Sequence, residues 1–197
     1  MSLTAADLSL AVDHLASKLE ELEPVLNSAD SRLGDGDTGT MLARMGRGLA
    51  DVDLESTDDL GAAFMLLTKA TLASTGSSLG TLIGTAFMTF AKTTKGKSEI
   101  EWSEVSVMVD DAVVAMSARG KSAVGDKTIL DSLNAIARST ESATDRDEFV
   151  TQARSGAQTA LDELRDQPCQ IGRARMYKEQ SIGMDDPGML AIALILK

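Results

Sequence analysis

The chain has 197 residues, 43% of them hydrophobic and 25% charged, which is enough to bury a sizeable core in a single domain spanning residues 1–197. A formal net charge of -11 excludes nucleic acid as the natural partner, and any phosphate bound here must be held by local cations, amide N–H groups or metal. No apolar run approaches the roughly 20 residues of a membrane span and no signal-peptide pattern opens the chain, while a single cysteine, Cys169, fits a reducing cytoplasm and an idle thiol.

Thr4-Ala5-Ala6-Asp7 reads as a capping box. The helix it opens carries Leu8, Val12, Leu15, Leu19, Leu22 and Leu26 on one stripe and ends near Asn27–Asp30. His14, the only histidine, sits beside that stripe and is assigned to the helix surface. A second helix follows Thr38-Gly39-Thr40, with Met41, Leu42, Met45 and Leu49 inward, and a third presents Leu60, Ala63, Phe64, Leu67 and Thr71. The small-residue loop Gly76-Ser77-Ser78-Leu79-Gly80 leads to a fourth helix with Leu82, Ile83, Ala86, Phe87 and Phe90. Thr93 to Glu101 is a connector, and Trp102 anchors a fifth helix that ends at Gly120. Asp126 is the expected N-cap of a sixth helix through Ile129, Leu130, Leu133 and Ile136, with Lys127 an exposed helix lysine or a phosphate contact. After a polar linker, a seventh helix runs through Phe149, Val150, Ala153, Ala157, Leu161 and Leu164. Residues 167–184 are irregular, carry Arg173, Arg175 and Lys178, and suit a lid. Asp186-Pro187-Gly188 then starts a last, almost wholly apolar helix. No stretch alternates as a strand does, so the fold class is all-α, an eight-helix antiparallel bundle or closed helical barrel.

The chemistry concentrates at residues 30–40. Asp30, Asp35 and Asp37 lie within eight residues, interleaved with Gly34, Gly36 and Gly39. Carboxylates so close repel one another unless a cation joins them, and hard oxygen donors suit magnesium. The helix start directly behind them offers unpaired N–H groups and a positive dipole end to phosphate. The Ser/Gly loop at 76–80 is a second candidate phosphate cradle. Familiar alternatives fail. Gly96-Lys97-Ser98 and Gly120-Lys121-Ser122 lack the leading glycine of a P-loop, with Ala91 and Ala115 in its place. One cysteine and one histidine make no zinc site. Phosphoryl transfer through carboxylate-held metal is the chemistry that remains.

Four motifs in order resemble the nucleotide-binding (L) subunit of dihydroxyacetone kinase: Gly34-Asp35-Gly36-Asp37-Thr38-Gly39-Thr40, Gly125-Asp126-Lys127-Thr128, Gly172-Arg173-Ala174, and Ser181-Ile182-Gly183 through Asp186-Pro187-Gly188. The resemblance implies an eight-helix barrel with ADP or ATP at one end and two magnesium ions on Asp30, Asp35 and Asp37. It carries nucleotide contacts onto Thr38, Gly39, Thr40, Met41, Ser78, Leu79, Gly120, Ile129, Arg173, Asp186, Pro187 and Gly188, and no catalytic side chain onto this chain. It is the free-standing bacterial form that the chain resembles. There the nucleotide is a retained cofactor, recharged by a phosphotransferase-system subunit. Its phosphate passes to dihydroxyacetone or a related small ketose on a substrate-binding kinase subunit, which also holds the substrate-linking histidine. Neither nucleic acid nor membrane is an expected partner, and a homodimer is left open.

Two positions depart from the family pattern. Thr38 replaces a common histidine, giving a form that also resembles the nucleotide domain of fatty acid kinases, and the second loop departs from Gly-Gly-Ala-Ser-Gly. The alternative readings are a kinase for another acceptor, fatty acid or sugar, and a non-catalytic nucleotide-binding regulator.

Overall fold

A computed structural model describes residues 2–197. Among these, eight α-helices account for most of the chain: α1 (Ala5–Asp30), α2 (Thr38–Ala50), α3 (Leu60–Ser74), α4 (Ser78–Thr93), α5 (Trp102–Gly120), α6 (Ile129–Ser139), α7 (Arg146–Leu164) and α8 (Pro187–Ile195). The capping box at Thr4 is present, with Thr4 and Asp7 exchanging side-chain and backbone bonds. α1 then places Leu8, Val12, Leu19 and Leu26 in the core, and His14 on the surface.

Each helix packs on the next, across connections that are short except between α7 and α8, so successive helices run up and down. The ring closes because α8 packs against α1, α6 and α7. Inside, Leu42, Met45, Leu49, Phe64 and Leu67 join the α1 stripe, and Phe64, Phe87 and Phe90 cluster at centroid separations of 5.3 to 6.4 Å. An apolar hollow of about 210 Å³ remains along the axis, walled by residues such as Leu19, Phe87, Phe90, Met116 and Ile192. Trp102 is buried at the start of α5 against Phe149 of α7, ring centroids 5.5 Å apart.

One local feature escaped the sequence reading. Ser2–Thr4 (β1) and Glu99–Glu101 (β2) form a two-stranded antiparallel ribbon, with Leu3 opposite Ile100. Three residues are too few to show alternation, and the pairing exists only because the barrel brings the segments together. The closed helical barrel itself is as expected.

The up-and-down order has a consequence for function. Every even-numbered helix starts at the same end of the barrel, so the N-termini of α2, α4, α6 and α8 gather there. The loops after α1, α3, α5 and α7 gather there too. At each helix start the unpaired amides and the dipole are equivalent to about half a positive charge. In a chain of net charge -11 this end is where a phosphate can be accommodated.

Candidate functional site

At that end lies an open polar pocket of about 380 Å³. Its lining includes Asp30, Asp35, Asp37, Thr38 and Met41 from the α1–α2 corner, and Gly76, Ser77, Ser78 and Leu79 from the start of α4. Thr128 and Ile129 come from the start of α6, Gly172, Arg173 and Ala174 from the segment after α7, and Asp186, Pro187 and Gly188 from the start of α8. Leu79, Ile129 and Gly188 also wall the apolar hollow, so the floor of the polar pocket is the roof of the hollow.

The acidic corner is built by its backbone. Asp30, the last residue of α1, is 8% exposed, and its Oδ2 accepts the amides of Asp37 at 3.0 Å and Thr38 at 3.2 Å. Its carbonyl accepts Gly34 N–H at 2.6 Å. A Cβ at Gly34 would collide with the Asp30 carboxylate, and Gly36 has φ +77°, in the left-handed region. These two glycines fold the loop back on itself. Asp37 occupies the N-cap position of α2 yet spends no carboxylate oxygen on capping. One oxygen from each of Asp30, Asp35 and Asp37 falls within 4.8 Å of the others. Asp35 and Asp37 are exposed.

The other helix starts supply hydrogen-bond donors. Ser77 caps α4 by accepting Gly80 N–H at 2.9 Å, which leaves the first-turn amides of Ser78 and Leu79 beside the pocket. Asp186 caps α8 by accepting Met189 N–H at 2.9 Å, and Pro187 fills the first helical position. Burial pushes the Asp186 carboxyl up to about 6, against the pull of the Met189 and Gly188 amides and the Lys127 ammonium. Thr128, not Asp126, caps α6, in a capping box with Asp131. Asp126 instead braces the preceding turn, accepting Ala123 N–H at 2.7 Å and Ser122 O–H at 3.2 Å.

Arg173 reaches the acidic corner and pairs with Asp35, both side chains remaining substantially exposed. Lys127 behaves otherwise than expected. It is 1% exposed, neither a surface lysine nor a phosphate contact, and its ammonium donates to the carbonyls of Arg165, Gln167 and Ser181. An ammonium has three donors, and all are used. The site positions inferred from sequence are thus largely brought together. Gly39, Thr40 and Gly120 lie off the pocket wall. Gly39 gives α2 its close approach to the backbone of α1 at Glu23, Thr40 bonds Asn27 and Glu23, and Gly120 packs on Leu82. Leu33, Leu82 and Ile171 line the pocket without any sequence signal, since an apolar wall residue looks like any other core residue.

The DAK2 domain profile matches residues 32–197. The chain belongs to the DAK2 domain family. Human triokinase/FMN cyclase is 30% identical over 197 residues, covering 96% of this chain and 34% of that protein. The ADP-binding subunit DhaL of the Escherichia coli K12 PEP-dependent dihydroxyacetone kinase is 28% identical over 180 residues, 87% of this chain and 84% of the subunit. Its counterpart in the Lactococcus lactis PTS-dependent kinase is 29% identical over 184 residues, 91% and 88% respectively. The chain therefore spans about a third of the triokinases and most of the bacterial subunits. Among solved structures, the C. freundii dihydroxyacetone kinase in complex with AMP-PNP and Mg2+ superposes with a TM-score of 0.75 at 23% identity, over 100% of this chain and 34% of that one. The helical barrel is the fold the two share.

Proposed function

We propose that this chain is the ADP/ATP-binding subunit of a dihydroxyacetone-type kinase, and that it presents Mg-bound nucleotide to a small ketose held on a separate substrate-binding subunit. The observation that carries the reading is the convergence of three carboxylates and four helix starts on one pocket. The names of the bacterial DhaL relatives, which align over most of both chains, support the nucleotide and the kinase.

The donor set fits a hard divalent cation. It is all oxygen, with one carboxylate fixed by two amides and two others exposed to meet solvent or phosphate oxygens. Asp30, Asp35 and Asp37 would hold magnesium, two ions in this reading. When bound, the metal neutralises phosphate charge and polarises the transferred phosphoryl group. The protein's share is positional. The unpaired amides of Ser78 and Leu79 at the start of α4 take phosphate oxygens, the positive dipole ends of α2, α6 and α8 favour the charge, Arg173 adds a movable positive charge, and the Leu79–Ile129–Gly188 floor excludes water from below. Among the described residues the pocket wall carries no histidine, cysteine or lysine, and in this reading the acceptor and the groups that orient it sit on the partner subunit. A phosphotransferase-system subunit as donor completes the proposal.

The test is direct. Native mass spectrometry of freshly purified protein should show co-purifying ADP with magnesium. Mixed with a DhaK-type subunit and a phosphorylated phosphotransferase-system donor, it should yield ketose phosphate. Nucleotide binding without transfer from any donor to ketose, sugar or fatty acid would reject the kinase role and leave a binding protein.

A further inference from the structure

The segment from Arg165 to Asp185, between α7 and α8, is a strap across the pocket end of the barrel, with a 3-10 run over Arg173–Ser181. Most of it is exposed, yet it must place Arg173 beside Asp35. Its contacts with the barrel gather at its two feet. Lys127 Nζ donates to Arg165 O at 2.8 Å and Gln167 O at 2.8 Å at the first foot, and to Ser181 O at 2.9 Å at the second. Around this point Cys169 N–H donates to Ser181 Oγ at 2.8 Å, and Gly183 N–H to Arg165 O at 2.9 Å. Gln170 N–H donates to Asp126 O at 3.2 Å, and Arg165 pairs with Asp185 at 2.7 Å.

Lys127 is also strained and costly. Its φ is 62°, a left-handed value that a residue with a Cβ adopts only when its surroundings hold it there. A buried ammonium is unfavourable unless fully hydrogen-bonded, and here burial pulls it below the ordinary lysine range against the pull of nearby acids. Removing it takes a donor from all three carbonyls: among the described residues Gln167 O is left without one, while Arg165 O and Ser181 O keep only the amides of Gly183 and Met184. It stands one residue before Thr128, the cap of α6, so one side chain ties the start of α6 to both ends of the strap.

We infer that Lys127 is a positioning residue of the nucleotide site: without touching the ligand, it clamps both feet of the strap so that Arg173 is held at the acidic corner. Among the described residues Arg173 makes no other ion pair, so its reach depends on where the feet are anchored. The inference rests on the nucleotide-site reading above for its effect on affinity, but not for its effect on the strap itself.

Full-length wild type, Lys127→Met, Arg173→Ala and the double variant are compared by amide hydrogen exchange and by MgADP calorimetry. Lys127→Met should speed exchange across residues 168–180 at least tenfold while α1 to α5 keep their protection. It should weaken MgADP about as much as Arg173→Ala, and the double variant should be no weaker than the single ones, since both lose the same contact. Effects that multiply, or an unchanged strap, overturn the proposal. Should Lys127→Met not fold, Lys127→Gln, whose two amide donors cannot serve three carbonyls, must show the same faster strap exchange and the same non-additivity with Arg173→Ala. Wild-type strap exchange in Lys127→Gln then overturns the clamp. If wild type itself fails to bind MgADP, the nucleotide reading falls, while the exchange measurement still decides the clamp.

Discussion

Asp35 and Arg173 meet at the mouth of the same pocket, but the loop that carries one and the strap that carries the other are held in different ways. The acidic loop is held by its own neighbours: Asp30 takes amides from Asp37 and Thr38, and Gly34 N–H returns to Asp30, all within nine residues. The strap is held from a distance, by Lys127, which lies 38 to 54 residues away from the carbonyls it caps. A locally bonded loop keeps its shape whenever its helices form. A segment fastened at its feet, by one remote side chain and the Gln170–Asp126 backbone bond, can be released as a unit. On the proposed reading, the first suits metal ligands, whose geometry must not vary, and the second suits a group that lets nucleotide settle and then closes on it.

The sharpest way to break this contrast is to remove the acids. Asp35→Ala or Asp37→Ala should lower magnesium-dependent ADP affinity by about a hundredfold or more, since each removes a charged ligand from a three-carboxylate set. The circular-dichroism spectrum should stay unchanged, because both side chains are exposed. Calorimetry showing wild-type ADP affinity in both variants would end the metal-site reading.

Gly34→Ala tests the rigid side of the comparison. Its Cβ would collide with the Asp30 carboxylate. Relief requires displacing that carboxylate from the amides of Asp37 and Thr38, so the variant should lose about 1–3 kcal/mol of stability. About tenfold or more of magnesium affinity should go with it. Urea melts with and without magnesium check both. An unchanged midpoint would mean the loop is softer than its bonding pattern says.

Arg173→Ala tests the releasable side and should be milder. The side chain is exposed, so the fold should not change. ADP should dissociate faster by about fivefold to tenfold, the size of one partly solvated charged contact. Stopped-flow displacement with a fluorescent nucleotide measures it, and an unaltered off-rate would return Arg173 to the surface.

The last effect, on stability and not on affinity, lies at the start of α8. The Asp186 carboxyl sits at about 6 in the folded protein against 3.8 for an ordinary aspartate. The folded state therefore holds an extra proton between these values, and stability falls as pH rises through that window. Asp186→Asn keeps an acceptor for Met189 N–H and removes the charge. In the metal-free protein it should be more stable than wild type by roughly 1 to 2 kcal/mol at neutral pH, less than the full shift implies because the group keeps some exposure. The gain should appear as pH rises above 3.8 and level off past about 6. A constant difference across the range would place the charge elsewhere.

Much of the molecule is legible in the chain itself. Helix identity follows from stripes such as Leu8–Val12–Leu19–Leu26, and the start of α1 from Thr4 and Asp7, because a helix is written in residues three and four apart. The acidic corner is equally local: three aspartates and two turn glycines within eight residues can converge without help from the rest of the fold. What the chain alone did not determine are relations between distant segments. Lys127, read as a surface residue, is buried because α6 and the strap close over it. The short β1–β2 ribbon exists because the barrel aligns its two ends. The gathering of four helix starts around one pocket is likewise a property of the closed ring. Local spacing sets backbone bonds and faces, whereas which polar group loses its water, and which dipoles point at one place, is decided only when the helices pack.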